Sequence, residues 1–160
     1  MNNTRGDFME TVVVIMLKDK HTGFLDKELC SLSLTENEEY IINVFVTEED
    51  EGEKMLHLRL STERDVADWE YSAIFDYYDT ERFAGKVDKV LEIEDYYNPA
   101  WELVLDYSDE HTETEERVIE LLNLHHLELE DVYGVIADKE SEYENEMNRQ
   151  QYMGYRQPGR

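Results

Sequence analysis

Residues 40–60, with the sequence YIINVFVTEEDEGEKMLHLRL, decide the fold class of this chain. Residues 40–47 have a strong β-former at nearly every position, which predicts a strand. Residues 55–60 alternate between leucines on one side and a histidine and an arginine on the other, which predicts a second strand. The acidic residues 48–53, which include a glycine, form the turn between them. This stretch therefore predicts two neighbouring strands of an antiparallel sheet.

Two further strands are predicted before this stretch. Residues 10–18, ETVVVIMLK, are a dense β-branched run without a polar centre, which predicts a strand covered on both faces. Residues 24–34 follow the polar turn DKHTG, and their last positions alternate between serine and leucine. They are predicted to form a hairpin with the first strand. Four strands joined by short turns predict an antiparallel meander.

Two more strands and a helix are predicted in the middle of the chain. Residues 87–96 and 101–107 alternate, and the turn at residues 97–99 makes them a second hairpin, so we expect about six strands. Residues 65–79, DVADWEYSAIFDYYD, fit both the helical and the strand period. Their aromatic content favours a strand, whereas Asp65 and Asp68 suit the start of a helix. We predict a shorter middle helix here.

The last third of the chain carries a long helical pattern. Thr112 and Glu115 have the spacing of a capping box, and the pattern extends over residues 113–147. Gly134 interrupts it and is a candidate position for a kink, since glycine costs about 1 kcal/mol relative to alanine in a helix. One apolar stripe is predicted to face the core. It consists of Val118, Leu121, Leu122, Leu129, Val132, Tyr133 and Ile136.

These patterns predict one α+β domain over residues 9–147. In it, an antiparallel sheet of about six strands packs against a long C-terminal helix and a shorter middle helix. Residues 1–8 are polar, and residues 148–160 contain three arginines, no acid, and both glycine and proline. We predict a disordered N-terminus at residues 1–8 and a disordered basic tail at residues 148–160.

The charge of the chain restricts its partners. Its 160 residues contain 40 Asp and Glu against 15 Lys and Arg, for a formal net charge of −25. Such a surface repels the phosphates of nucleic acids and of anionic lipids, so we predict no direct binding to nucleic acid or membrane. The same charge attracts basic proteins, and we predict a basic protein partner. The arginines of the tail could contact a second copy, which permits a homodimer.

No sequence motif names a reaction or a cofactor. There is no glycine-rich phosphate loop, no Gly-x-Ser-x-Gly and no Cys-x-x-Cys. The chain has only 7 Gly and 2 Pro, which weighs against a catalytic site built on long loops. The single cysteine, Cys30, is predicted to be a small buried side chain on a strand. A secretory signal is absent, so we predict a cytoplasmic location.

A cluster of aromatic side chains is the first candidate site. Such side chains either pack in a core or, since Tyr and Trp are favoured at interface centres, form a partner-binding patch. Interleaved acids would then supply a rim for Arg or Lys of the partner. The interface candidates are Trp69, Tyr71, Phe75, Tyr77, Tyr78, Tyr97 and Trp101, with Asp68 and Asp76 at the rim.

Two adjacent histidines are the second candidate site. His126 and Glu130 share one helix face, and His125 and Glu128 share another, so each pair could seed a metal site. Adjacent helical residues point about 100° apart, however, and the two imidazoles cannot easily bind one ion. Packing or surface roles are therefore favoured over a metal site at these four residues.

Two segments carry a resemblance to a known family. Residues 9–29, METVVVIMLKDKHTGFLDKEL, and residues 63–83, ERDVADWEYSAIFDYYDTERF, resemble an uncharacterised family of small acidic proteins from clostridia-type bacteria. The resemblance covers residues 9–147. It implies a bacterial cytoplasmic setting and a family start at Met9, and it supplies no catalytic or ligand residues.

Three functions follow as hypotheses. The leading one is a non-enzymatic interaction or regulatory protein that binds a basic partner through an acidic, aromatic-containing surface. The first alternative is a nucleic-acid-mimicking inhibitor of a DNA-binding protein, in which carboxylates on the long helix imitate a row of phosphates. The second alternative is a metal-dependent enzyme with a site of histidines and carboxylates.

Overall fold

The computed structural model describes residues 10–156, which form six strands and three α-helices. The predicted disordered residues 1–8 lie outside this part of the chain. Two short 3-10 turns, Glu38–Tyr40 and Thr80–Phe83, complete it. In chain order the elements are β1 (Thr11–Lys18), β2 (Leu25–Leu34), β3 (Ile41–Glu48), β4 (Lys54–Ser61), α1 (Asp68–Tyr77), β5 (Lys89–Ile93), β6 (Ala100–Asp106), α2 (His111–Ile136) and α3 (Glu140–Arg156).

The strands form one open sheet in the order β2-β1-β3-β4-β6-β5. All neighbouring strands are antiparallel except β1 and β3, where Met16 pairs with Phe45 and Leu17 with Val46 in parallel. The predicted α+β class and both predicted hairpins are confirmed. The predicted meander of the first four strands is wrong, because β3 crosses to the far side of β1 and leaves β2 at the edge. The exposed, charged start of β2 suits an edge, where charge discourages further strand pairing.

The helices contribute to the core on only one face of the sheet. Leu56, Leu58 and Leu60 of β4 point to this face and are fully buried, as their alternation predicts. The stripe predicted on α2 packs against them, with Tyr133 half-buried at its margin. The prediction that β1 is covered on both faces is wrong. Ile15 is buried, but Val12 and Val14 on the opposite face are 61% and 41% exposed.

The middle helix is confirmed as a helix, and its start is held by side chains. The carboxylate of Glu70 accepts the backbone N–H of Ala67 at 2.9 Å and also receives two hydrogen bonds from the guanidinium of Arg64. The hydrogen bond from Ala67 satisfies one of the free N–H groups at the helix start, and the two from Arg64 hold the Glu70 carboxylate in place. Ala73 and Ile74 are buried, which places a single face of α1 on the core.

The long C-terminal pattern is two helices. α2 ends at Ile136 and α3 begins at Glu140, so the break lies after the apolar stripe and not at Gly134. The predicted capping box of Thr112 and Glu115 is wrong, because α2 begins earlier, at His111. Ser108 lies before this start, and its hydroxyl accepts the backbone N–H of Glu110 at 3.0 Å.

The third helix extends further than the sequence suggests. α3 continues to Arg156, so residues 148–156, which we predicted to be disordered, are helical. Arg, Gln and Met in this segment are good helix formers, and they allow the helix to continue past its acidic first half. Residues 157–160 lie outside the described part of the chain.

Candidate functional site

The aromatic candidates divide into a buried group and an exposed group. Trp101 is 0% exposed and Tyr78 is 8% exposed, and their rings stack with centroids 4.0 Å apart. Phe75 packs edge-on against Trp101 at 5.3 Å. Because these rings fill the space between β6 and the helices, Trp101 and Tyr78 belong to the core, and a partner cannot reach them.

The exposed candidates lie on α1 and in the β5–β6 turn. Tyr77 is 40% exposed and Tyr97 is 71% exposed, whereas Trp69 and Tyr71 are half-buried. The two candidate acids, Asp68 and Asp76, are exposed. Some of these side chains are already occupied within the chain. The hydroxyl of Tyr143 on α3 donates to Asp76 at 2.7 Å, and the ammonium of Lys139 lies 5.5 Å from the Tyr77 ring centroid.

A hollow forms where the start of α1 meets α3. It has a volume of about 440 Å³, and Trp69 and Met147 supply its apolar lining. Asp68 and Glu144 border it with exposed carboxylates. We call it the Trp69 hollow. It combines an aromatic ring with negative charge, as an Arg or Lys side chain of a partner would require.

A second hollow lies beside the β5–β6 turn. It has a volume of about 200 Å³ and is lined by residues 39–42, 61–65 and 96–98. The rings of Tyr96 and Tyr97 lie against each other at 4.5 Å and form one wall of this Tyr97 hollow. Exposed carboxylates border it, and they belong to Glu39, Glu63 and Asp65.

The one cation in the lining of the Tyr97 hollow is already paired. The guanidinium of Arg64 donates to both carboxylate oxygens of Glu70 at 3.1 and 3.0 Å and lies 5.0 Å from the Tyr133 ring centroid. The hydrogen bonds to Glu70 raise the pKa of Arg64, and the hydrogen bond from Arg64 lowers the pKa of Glu70. Arg64 also lies 3.7 Å from Oε2 of Glu63, but three carboxylates border the hollow against this one guanidinium, so its potential stays negative.

The two hollows adjoin along one segment of chain. Residues 61–65 line the Tyr97 hollow, and residues 67–69 line the Trp69 hollow. We call the combined region the acidic aromatic surface. It consists of Glu39, Glu63, Asp65, Asp68, Trp69, Tyr96, Tyr97 and Glu144. Sequence reasoning singled out Asp68, Trp69 and Tyr97. It missed Glu39 and Glu144, which come from distant segments, and it missed Glu63, which lies just before the predicted middle helix.

The two candidate metal-binding histidines point to different surroundings. His125 is fully buried, with Nδ1 2.7 Å from the Tyr78 hydroxyl and Nε2 2.8 Å from the carbonyl oxygen of Ser61. Its neutral ring donates to Ser61 and accepts from Tyr78. Both nitrogens of His125 are therefore occupied by protein groups. His126 instead lies at the surface, where its Nδ1 is 2.7 Å from the Tyr40 hydroxyl.

The candidate carboxylates also have partners within the chain. Glu128 is buried and accepts the backbone N–H of Asp79 and the Nε–H of Arg82, each at 2.7 Å. Glu130 is exposed and lies 3.1 Å from Nε2 of His126. Within residues 10–156 no group of three or more His, Cys, Asp or Glu is arranged to hold a metal ion. The structure thus does not bring the four candidates to one point.

Burial of His125 predicts a pH-dependent stability. Desolvation lowers the pKa of His125 from 6.5 to about 4. In the unfolded chain His125 takes up a proton near pH 6.5, whereas in the folded chain it does so only near pH 4. The stability that comes from keeping His125 neutral is therefore fully present above pH 6.5 and is lost as the pH falls towards 4. We expect about 3 kcal/mol of stability to be lost over this range.

Urea unfolding of wild type and His125→Gln at several pH values measures this effect. The difference in unfolding free energy between the two proteins should shrink as the pH falls from 7 to 4, because glutamine does not titrate. His111→Gln, at the exposed start of α2, is the matched control and should leave the wild-type slope unchanged. Parallel slopes for wild type and His125→Gln would contradict the prediction.

A polar network on the uncovered sheet face was missed by sequence reasoning. Nδ1 of His57 lies 2.8 Å from Oε2 of Glu102, and Arg59 donates to Oε1 of the same carboxylate at 2.7 Å. Burial alone would raise the pKa of Glu102, but the hydrogen bonds from His57 and Arg59 lower it below its usual value. Alternation placed His57 and Arg59 opposite the leucines, but it gave no signal for a partner in β6, 43 residues away from Arg59.

The described helices include none that is long and apolar enough to cross a membrane.

The fold is that of a small α+β protein with helices on one face of a sheet, and it carries the acidic aromatic surface on its exterior. The chain belongs to a family of unknown function, DUF6762, whose model matches residues 8–144. This confirms the predicted resemblance to an uncharacterised family. No curated protein and no solved structure gives a significant match to the chain.

Proposed function

We propose that this protein is a non-enzymatic interaction or regulatory protein that binds a basic region of another protein through the acidic aromatic surface. One observation carries the proposal. Exposed Tyr97 and half-buried Trp69 stand in adjoining hollows bordered by exposed carboxylates, and the arginine between them is paired with Glu70. An aromatic ring with exposed carboxylates around it provides both cation–π and ion-pair contacts for Arg or Lys.

The two components of this surface have different roles in binding. The net charge of −25 steers a basic partner towards the protein and raises the association rate. Tyr97 and Trp69 are the anchor residues, since a few aromatic side chains supply most of the affinity at such interfaces. The predicted cytoplasmic location and the exclusion of nucleic acid and membrane surfaces belong to the same proposal.

Binding of a fluorescently labelled oligo-arginine peptide, followed by anisotropy, tests this surface. We expect Asp65→Asn with Asp68→Asn to weaken binding about tenfold, equivalent to about 1.4 kcal/mol. The matched control is Glu51→Gln with Glu53→Gln in the exposed β3–β4 turn, which removes the same charge elsewhere. Equal losses in both double variants would mean that the peptide responds only to net charge, and would contradict the proposal.

The aromatic part of the surface is tested in the same assay. Tyr97→Ala should weaken binding, whereas Tyr77→Ala, which removes an exposed tyrosine outside both hollows, should not. A salt series separates the contributions, since the ionic part fades with screening and the aromatic part remains. A peptide that binds both variants equally would place the anchor elsewhere. Binding confined to an elongated row of acids on α2 would favour a nucleic-acid mimic instead.

A further inference from the structure

Within residues 10–156, no helix packs on one face of the sheet, which we call the open face. Its side chains include Val12, Val14, Phe45, His57, Leu91 and Val104. Cross-strand register places them together, because Phe45 pairs with His57 and His57 with Val104, while Leu91 pairs with Glu102. The buried core cluster contains none of these six residues. Phe45 and Val104 are buried within the open face, whereas Val12, Val14 and Leu91 are exposed on it, away from the core that the helices form.

The open face differs in charge from the rest of the molecule. Its register-paired strand residues include three bases and three acids, which are Lys18, Arg59, Lys89, Glu28, Glu102 and Asp106. These charges cancel, whereas the whole chain carries −25. Two copies that approach through any strongly acidic surface repel each other. At the open face this local repulsion is absent, and only the longer-range repulsion between the two acidic chains remains, which salt screens.

The centre of the open face is already filled. The ring of Phe45 is 5% exposed because His57 stacks on it at 4.8 Å and Lys18 and Arg59 lie 5.0 and 5.3 Å from its centroid. Apolar side chains are exposed on both sides of this centre, with Val12 and Val14 on β1 and Leu91 on β5. A sheet surface with a filled centre and apolar flanks suits another sheet better than it suits a small molecule, which binds in a concave pocket.

We propose that a second copy of this chain packs its open face against this one, forming a two-sheet sandwich. Stacked sheets lie about 10 Å apart, and their inner side chains interdigitate. Six strands at a spacing of about 4.8 Å cover roughly 25 Å by 25 Å, or on the order of 600 Å² per copy. The total of about 1,200 Å² reaches the lower limit of specific protein–protein interfaces.

The choice of a second copy over a basic partner follows from the charges. A basic protein gains no electrostatic attraction from a neutral face and is drawn to the acidic aromatic surface instead. A homodimer through the open face leaves that surface free on each copy. This inference therefore does not depend on the proposed binding of a basic partner, and each can fail without the other.

Sedimentation velocity of the full chain, from micromolar to hundreds of micromolar concentration, tests the proposal. We expect a monomer–dimer equilibrium that shifts towards dimer in about 1 M NaCl, where the Debye length of about 3 Å screens the repulsion between acidic copies. Wild-type protein that stays monomeric over this range at both low and high salt would overturn the proposal. Dimers that dissociate in high salt would also overturn it, because they would be held by ion pairs.

Charge insertion locates the interface. Val14→Lys should reduce the dimerisation constant at least tenfold, because it places an ammonium between two packed sheets. Ile119→Lys is the matched control, since Ile119 is exposed to a similar degree on α2, and it should leave the constant within twofold of wild type. Equal effects of the two substitutions would overturn the proposal. Circular dichroism checks folding, and Leu91→Lys on β5 repeats the test if Val14→Lys does not fold.

Discussion

Trp101→Ala is expected to lower the free energy of unfolding by about 3–5 kcal/mol. Trp101 is 0% exposed, stacks on Tyr78 at 4.0 Å and contacts the ring of His125 at 5.5 Å, so its removal leaves a large cavity between the sheet and two helices. The indole Nε1 has no hydrogen-bond partner among the described residues, so the loss is one of packing. Trp101→Phe should therefore recover part of the stability.

Urea unfolding followed by circular dichroism at neutral pH measures this loss. Trp69→Ala is the comparison, because Trp69 is half-buried at the surface and should cost clearly less. The same pair of variants separates packing from partner binding, since Trp69→Ala should weaken oligo-arginine binding and Trp101→Phe should not. A stable Trp101→Ala protein that loses peptide binding would return Trp101 to the interface and contradict its place in the core.

Arg82→Ala is expected to cost about 3 kcal/mol of stability, the lower end of the range for breaking a buried ion pair. Glu128 is buried, and Arg82 donates to it at 2.7 Å while also pairing with exposed Asp131. Removing the guanidinium leaves a carboxylate without its counter-charge in a place that water reaches poorly. The hydrogen bond from the backbone N–H of Asp79 remains but does not neutralise the charge.

Two further variants show whether buried charge is the cause. Adding Glu128→Gln to Arg82→Ala should restore part of the stability, because a neutral amide can still accept from Asp79. Lys86→Ala breaks the exposed pair of Lys86 with Glu120 and should cost about 1 kcal/mol or less. Thermal or urea unfolding of all three variants gives the comparison. Equal costs for Arg82→Ala and Lys86→Ala would show that burial of Glu128 does not matter.

Local patterns predicted the elements of this fold well, and non-local pairing was beyond them. Leu56, Leu58 and Leu60 alternate because one side of β4 faces the core, and this signal lies within a few residues. The parallel pairing of β1 with β3 depends on contacts between segments about 29 residues apart at Met16 and Phe45. The run of β-branched residues in β1 looks the same whether its second face is covered or open, so the exposure of Val12 and Val14 could not be predicted.

The candidate site was predicted in part, for a related reason. The sequence around α1 shows that aromatic and acidic residues interleave, which identified Asp68 and Trp69. The sequence does not show which face of the helix points to the sheet. It therefore could not distinguish Tyr78, which is in the core, from Tyr77, which is exposed. Glu39 and Glu144 come next to this segment only when distant parts of the chain pack against it, and no spacing along the chain encodes those contacts.

The crossing of β3 over to β1 affects the order in which the chain can fold. The β3–β4 and β5–β6 hairpins each join strands that are close in sequence, so they can form early. The β1–β2 hairpin is also local, so the long-range steps are the pairing of β1 with β3 and of β4 with β6. Such long-range closure slows folding relative to helical proteins of the same size. Because the pairing of Leu58 with Leu103 spans more of the chain than that of Met16 with Phe45, we expect the β4–β6 hydrogen bonds to be the last part of the sheet to gain hydrogen-exchange protection during refolding.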